Sequence, residues 1–423
     1  MLGAANKSGS FNSGVIWNMG AFALMAIIGV LMNVLILRFY SNEALGVFNQ
    51  VYAIYILLSQ LAVGGVHLSV QEMVPRLSNN LKDVEEAVST ALVLALLSAL
   101  VVVGLSLPMS NTLADLLSSA GVAKALPLAL PGLLFFSLNK VLISGINGIR
   151  QMKTFAVLQL SRFVLMLLVL LYLAIDGAEP EYLGLVLSVP EPVLFLLILF
   201  LRRSWMPGPK TLQRRETIRR HFHFGNKALT GNFLLDVNTK VDVFILGFFL
   251  DDAAVGLYSF AATVAEGFMQ LPVLLRNNFN PVITAAYKKG NTALFEKVLK
   301  RNIVAFYKML APLGLLSILG FPLLPWLSGS SDWLSISLIY AILLLFLCLS
   351  AGYQPLLMLF NQCGLPGLQS TFIFWIFLAN LLFNLALVPI LGVYGSALGT
   401  GLSFLVQVWL TRHWARKRLQ TTF

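Results

Sequence analysis

Uninterrupted apolar runs that never alternate decide what this chain can become. LVLALLSALVVV at 92–103 and FVLMLLVLLYL at 163–173 carry no charge. A membrane-crossing β-strand is ~10 residues of alternating polarity, so these runs read as helices, which close their backbone hydrogen bonds internally. One helix crosses a bilayer core with ~20 apolar residues. Twelve stretches qualify: Val15–Leu37, Val47–Ser69, Ala87–Leu107, Val122–Gly145, Thr154–Ile175 and Tyr182–Leu201, then Phe224–Leu250, Ala253–Leu275, Asn302–Leu327, Trp333–Leu356, Leu368–Ile390 and Val393–Thr411. With 58% hydrophobic and 11% charged residues, against ~25% charged in soluble domains, the chain is no ordinary soluble globule. The expectation is an all-α integral membrane protein, its twelve transmembrane helices forming two pseudo-symmetric six-helix bundles around a central cavity.

The distribution of bases sets the expected orientation, because Lys and Arg accumulate in cytoplasmic loops. With the N-terminus cytoplasmic, 21 of the 29 bases fall on that side, and only Arg38 and Lys124 fall in outer loops. Both termini are therefore expected in the cytoplasm. This also accounts for most of the net charge of +11, and with no stacking or groove-reading motif beside it, nucleic acid is not an expected partner. Seven bases crowd RRSWMPGPKTLQRRETIRRHFH, residues 202–223. That linker divides the chain into bundles 1–201 and 224–423. Residues 211–222 suit a basic amphipathic helix on the anionic leaflet, as a topology anchor or as a recruiter of anionic lipid, with His221 and His223 interfacial. Cys348 and Cys363 are too few for a disulfide framework and read as structural. The first fourteen residues lack the charged segment, apolar run and cleavage site of a removable signal, so the first span is expected to be retained.

A weak internal repeat supports two matching halves. ALGVF at 44–48 recurs as AVGLY at 254–258, Asn147 matches Asn361, and Leu183-Gly184 matches Leu398-Gly399. Six helices per half puts both halves the same way up, with the repeat axis along the membrane normal.

The stretch from Phe224 to Ile283 carries the most informative chemistry. Its first span holds Asp236, Lys240 and Asp242, and its second holds Glu266 and ends on Arg276. An ionisable group at bilayer depth costs at least ~2.5–3.5 kcal/mol, so each of these either faces protein or a wet cavity or has a role. Asp236 and Lys240, four apart on one helix, are expected to pair. Lys140, Arg162 and Lys308 lie nearer the cytoplasmic ends of other spans, where they either meet an anionic substrate or snorkel to water. Gln60, Gly64, His67 and Gln71 share one face of the second span, with Asn49 nearer another; these polar groups either contact substrate or hold helices together. Glu266, Asp242 and, with less support, Glu191 are acids suited to binding a driving proton or cation.

The residues then carry a resemblance. Asp242-Val-Phe-Ile-Leu-Gly followed by Val255-Gly256-Leu257-Tyr258, Pro272 and Pro281 resembles the seventh and eighth helices of bacterial polysaccharide flippases. Leu45-Gly46-Val47-Phe48 through Gly64-Gly65 with Pro75-Arg76, and Asn380…Asn384…Pro389…Gly392-Val393-Tyr394-Gly395-Ser396-Ala397, are similar to two further parts of that family. It belongs to a superfamily that also holds multidrug extruders and fourteen-span lipid II flippases. Twelve spans favour the O-antigen type.

The resemblance implies translocation of a polyprenyl-pyrophosphate-linked oligosaccharide from the inner to the outer leaflet of the bacterial cytoplasmic membrane. That movement would run by alternating access coupled to a proton or sodium gradient, with no cofactor. Membrane lipids and other polysaccharide-assembly proteins would be partners. The candidate substrate contacts are Lys240, Arg276, Lys140, Arg162, Lys308, Gln60, His67 and Asn49, with Asp236, Glu266 and Asp242 for coupling or ion pairing. No catalytic triad, phosphate-cradling glycine loop or metal cluster points to an enzyme. A drug or cation antiporter of the same superfamily, and a non-directional scramblase or scaffold, stay open.

Overall fold

The computed structural model describes residues 2–78, 80–208 and 215–422, with side chains from residue 17 onward except 226–228, 230–232 and 234–236. Among the described residues every regular element is helical. They form two compact units, 1–32 with 47–236 and 33–46 with 237–423.

The first unit is built from most of α1 (Leu2–Phe39) and α2 (Asn42–Val63), then α3 (Val66–Leu77), α4 (Leu81–Ser106), α5 (Ser110–Leu116), α6 (Ala120–Ala129), α7 (Gly132–Gly148), α8 (Met152–Asp176), α9 (Leu185–Ser188), α10 (Pro190–Leu201) and nearly all of α11 (Arg215–Asn238). Local chemistry sets its boundaries. Asn80 and Ser119 cap α4 and α6 by accepting the amides of Lys82 and Val122, which satisfies first-turn donors that have no partner within the helix. The second expected span breaks at Gly64 and Gly65, whose φ of 58° and 70° only glycine adopts without strain. A side chain at Gly65 would also strike the Gly225 carbonyl, 2.3 Å from its Cβ. The core joins Val70, Val74, Val88, Leu92, Leu142, Ile146, Leu194 and Trp205.

Two readings of the linker are corrected here. The part of the basic segment described as helix is the start of α11, which runs on without a break from Arg215 into the seventh span. His221 is not interfacial: it is fully buried, with Nε2 3.0 Å from the Ala87 carbonyl and Nδ1 2.9 Å from Ser69 Oγ. A carbonyl only accepts, so Nε2 carries the proton and Ser69 donates to Nδ1. Burial lowers the pKa of this imidazole to about 4.

The second unit holds α12 (Val241–Phe249), α13 (Asp252–Lys288), α14 (Thr292–Gly320), α15 (Leu323–Leu327), α16 (Trp333–Ser350), α17 (Leu359–Gln362) and α18 (Pro366–Trp414). Asp251 and Asn291 cap α13 and α14. α18 is two rods, because Gly392 leaves helical geometry at φ 57°, ψ −134°. The chain doubles back there so closely that a Cβ at Gly395 would lie 2.2 Å from the Leu387 carbonyl. Phe295, Leu299, Ile303, Phe306, Phe360 and Phe372 centre the core.

Segment 33–46 folds with this unit. Gly46 and Gly256, the repeat-related glycines, cross reciprocally: a Cβ at Gly46 would lie 1.7 Å from the Asp252 carbonyl, and one at Gly256 1.9 Å from the Asn42 carbonyl. Asn42 Nδ2 donates to Asp332 Oδ2 at 2.8 Å beside this crossing.

Among the described residues eight helices are long and apolar enough to cross a membrane, or nine if the α6–α7 pair, bent by 51°, is one span. The expected twelve exceeds this for physical reasons. α18 counts once although Gly392 makes it two rods. α11, α12 and α13, which flank Lys240 and carry Asp242, Glu266 and Arg276, fall outside the tally.

Candidate functional site

In the first unit, four helices bring a charged cluster together away from water. α10 begins at Pro190, so its first turn presents Glu191, which is 3% exposed. Arg162 on α8 meets this carboxylate, Nε at 2.7 Å from Oε1 and an NH2 group at 3.3 Å from Oε2. Asn139 on α7 donates to Glu191 Oε2 and to its backbone carbonyl, both at 2.8 Å. One residue on, Lys140 donates to Gln60 Oε1 on α2 at 3.1 Å.

The Phe136 ring sits between the two cations, 4.5 Å from the Arg162 guanidinium carbon and 5.7 Å from Lys140 Nζ. Tyr55 packs edge-on against that ring at 5.7 Å, and its hydroxyl donates to the Leu187 carbonyl at 3.3 Å. Among the described residues the cluster holds two cations and one carboxylate, in surroundings where burial strengthens attraction to an anion. Arginine supplies a planar fork suited to phosphate or carboxylate, and lysine a movable point charge.

In the second unit a chain of oxygens and amides runs from Asp242. Its Oδ1 accepts the Val243 amide at 2.9 Å, and its Oδ2 accepts the Tyr258 hydroxyl at 2.5 Å. Tyr258 approaches Thr400 Oγ1 at 3.5 Å, and Thr400 donates to Asn380 Oδ1 at 3.3 Å. Asn384 donates to Asn380 at 2.9 Å and accepts from Ser396 at 2.7 Å. The turn at Gly392 makes this possible by folding Asn380 and Asn384 onto Ser396 and Thr400. Among the described residues Asp242 is the one charged member of this hydrogen-bonded run, whose carboxylate, hydroxyls and amide oxygens form a hard donor set of the kind that suits a small cation.

The expected residues distribute unevenly. Gln60, Lys140 and Arg162 come together. His67 is buried on α3, beyond the break at Gly64, and its Nδ1 has no hydrogen-bond partner among the described residues. Asn49 is half-buried on α2, eleven residues or ~16 Å of helix before Gln60. Arg276 is half-buried on α13, with no ion pair among the described residues, and Lys308 lies exposed on α14.

Lys240 pairs with Glu266, Nζ to Oε1 at 2.8 Å. The helical spacing behind an Asp236–Lys240 pair does not hold, because α11 ends at Asn238 and Lys240 starts the next helix. The Asp236 side chain lies outside the described residues. Asn139 and Phe136 were missed by sequence reading. The available signal was their spacing: Phe136 precedes Lys140 by one helical turn, and an asparagine adjoins the lysine inside an apolar span.

The family model for polysaccharide biosynthesis proteins matches residues 77–337, more than half of the chain. The chain belongs to that family. Among solved structures this family member is similar to a multidrug resistance MATE family transporter of the MOP superfamily in its inward-facing conformation. They share 15% identity at a TM-score of 0.76, over 96% of this chain and 98% of the other. It is similar also to the lipid II flippase MurJ in an inward closed conformation, 16% identical at a TM-score of 0.74, over 97% of this chain and 88% of that one.

A third likeness is to a MOP superfamily transporter from Pyrococcus furiosus, described by a binding pocket of reversed polarity that suggests a different function. It is 15% identical at a TM-score of 0.59, over 96% and 95% of the two chains. No curated protein sequence matches. At these identities the likenesses show the fold alone, which this chain shares with those transporters. This family member is thus an all-α, multi-span membrane protein.

Proposed function

We propose that this polysaccharide-biosynthesis family member is a flippase, moving a polyprenyl-pyrophosphate-linked oligosaccharide from the inner to the outer leaflet of the bacterial cytoplasmic membrane by alternating access. The observation that carries the reading is the half-buried pair of cations, Lys140 and Arg162, flanking Phe136, with Glu191 as the carboxylate met among the described residues. An anionic, strongly hydrated head group needs cationic and hydrogen-bonding walls to leave water. Lys140 and Arg162 take the pyrophosphate or acidic sugars, Gln60 and Asn139 offer amides for hydroxyls, and Phe136 gives a ring for a sugar face.

Asp242, with Tyr258, Thr400 and Asn380 around it, takes the coupling proton or cation. Glu266 holds Lys240 until the substrate head group competes for it. The termini lie in the cytoplasm, and other polysaccharide-assembly proteins supply and consume the lipid.

A drug or cation antiporter is the competing assignment, and one experiment separates the two. In proteoliposomes, head-group delivery of a lipid-linked oligosaccharide is measured per protein molecule inserted. Lys140→Met is expected to reduce it at least tenfold at normal abundance. A wild-type rate in that variant, or efflux of cationic drugs that is indifferent to glycolipid, removes the flippase reading.

A further inference from the structure

Outside these clusters, the exposed face of α14 combines charge and apolar surface in an order that fits one class of ligand. α14 buries Phe295, Leu299, Ile303, Phe306 and Leu310 as a single stripe in the core. On another face Lys297, Lys300, Arg301 and Lys308 line a shallow groove together with Val304 and Ala305. From Lys297 to Lys308 is about 16 Å of helix. Further along α14, exposed surface becomes purely apolar, with Leu315 51%, Leu316 66% and Leu319 78% exposed.

Counter-charge is nearly absent from the groove. Its one acid, Glu296, is engaged by Lys300 at 2.7 Å and by the Thr422 amide and hydroxyl, each at 3.1 Å. The Lys300 contact holds this carboxylate below its usual range. Lys297, Arg301 and Lys308 have no acidic partner among the described residues. The contact with Thr422 also ties the C-terminal turn to the same end of α14. Ala415 and Leu419 are buried in the core that holds Phe295 and Leu299, and Arg416, Lys417 and Arg418 are exposed between them.

Lys297, Lys300 and Arg301 precede the span that opens at Asn302, and Lys308 lies in its second turn, so the bases stand at the lipid–water boundary of a helix whose next turns face hydrocarbon. A phosphate at that boundary pairs with them, and an acyl chain covers Val304, Ala305 and the leucines beyond. A soluble anion has no use for the apolar continuation, and a neutral lipid none for the bases. We infer that α14 carries a binding site for a resident anionic phospholipid, its phosphate held by Lys297, Arg301 and Lys308 and its acyl chain lying along the helix toward Leu316. This site is independent of the flippase reading, needing only that the chain sits in a membrane.

The test is native mass spectrometry of the full chain from nanodiscs of equal phosphatidylglycerol and phosphatidylcholine. The wild type is expected to retain phosphatidylglycerol in preference. The triple variant Lys297→Gln, Arg301→Gln, Lys308→Gln should lose that retention at least tenfold, since each base near an anionic leaflet is worth roughly fivefold in binding. Lys288→Gln with Lys289→Gln, an exposed pair elsewhere in the same unit, should change it less than twofold.

Should the triple variant fail to insert, Lys308→Gln alone is expected to weaken retention about fivefold, and Lys308→Arg to preserve it. Inorganic phosphate at millimolar concentration should not displace the lipid. Equal retention of the two lipids by the wild type overturns the site, as does undiminished retention in the triple or Lys308→Gln variant. An equal loss in the control pair, or displacement by phosphate, overturns it too.

Discussion

Cutting the Arg162–Glu191 pair from each side, and then from both, tests whether the first unit is built around its charged cluster. The pair is deep, with side-chain exposures of 13% and 3%, and Asn139 spends its amide on the same carboxylate. Glu191→Gln leaves the guanidinium beside Phe136 without the carboxylate it now meets. Arg162→Met leaves a buried carboxylate held by one amide. Removing a single partner of a buried pair costs ~3–5 kcal/mol, whereas replacing both by neutral groups of similar size is often close to neutral. The expectation is therefore ~3 kcal/mol or more lost in each single variant and ~1 kcal/mol in the double, a coupling of several kcal/mol between touching residues.

Reversible unfolding in bicelles, followed at several denaturant concentrations, gives the stability arm. Flipping per inserted molecule gives the functional arm, in which the double variant should fold and fail to transport. Single variants as stable as the wild type, or a double variant whose loss equals the sum of the singles, would refute the argument that this pair is mutually dependent.

Other outcomes follow from single features. The buried imidazole of His221 has a pKa of about 4, against an ordinary value of ~6.5. The unfolded chain thus binds the extra proton first, and stability that is complete above pH 6.5 should fall by up to about 3 kcal/mol as pH drops to 4; His221→Gln should flatten that slope, and an unchanged slope rejects the assignment. Gly46→Ala places a Cβ 1.7 Å from the Asp252 carbonyl, so the two backbones must part by more than an ångström. Disulfide formation between Asn42→Cys and Asp332→Cys, rapid otherwise, should then slow at least tenfold, and equal rates would mean that the segment stays seated. For the orientation, reporters that are active only in the cytoplasm should work at Pro207 and Gly290, and those active only outside at Asp251 and Ser330. Outside activity at Pro207 inverts the topology.

Much of the fold was legible because lipid leaves so few solutions. Runs such as 92–103 can only be helices, and α4 and α8 stand where hydropathy put them. Glycine breaks were legible as hinges but not as consequences: Gly64 divides a face that helical spacing had made continuous from Gln60 to His67. The same limitation removes the helical-spacing argument for Asp236–Lys240, since spacing of four implies adjacency only within one helix, and Thr239–Lys240 is a turn. Lys140, Arg162 and Gln60 were identified singly as ionisable or amide groups at depth. Their convergence on Phe136 and Asn139 depends on contacts between residues 80 or more positions apart in the case of Gln60 and Lys140, which local pattern does not encode. His221 was misjudged because its neighbours in sequence are arginines, while its neighbours in space are Ser69 and Ala87.

Segment 33–46 has a consequence for how the chain is made. It is translated about two hundred residues ahead of its seat in the second unit, which includes Asp252, Gly256 and Asp332. During synthesis at ~5–20 residues per second, the first helical hairpin must therefore wait for more than two hundred further residues before its turn has anywhere to dock. Contacts of such separation close late and set the pace of folding. A ribosome stalled after residue 236 would hold a chain whose second unit lacks all but this one strip, and a fragment starting at 237 would lack the strip itself. Coexpressed halves cut at that point would have to seat segment 33–46, carried by one half, among residues of the other, which makes the cut a sensitive place to trap assembly intermediates.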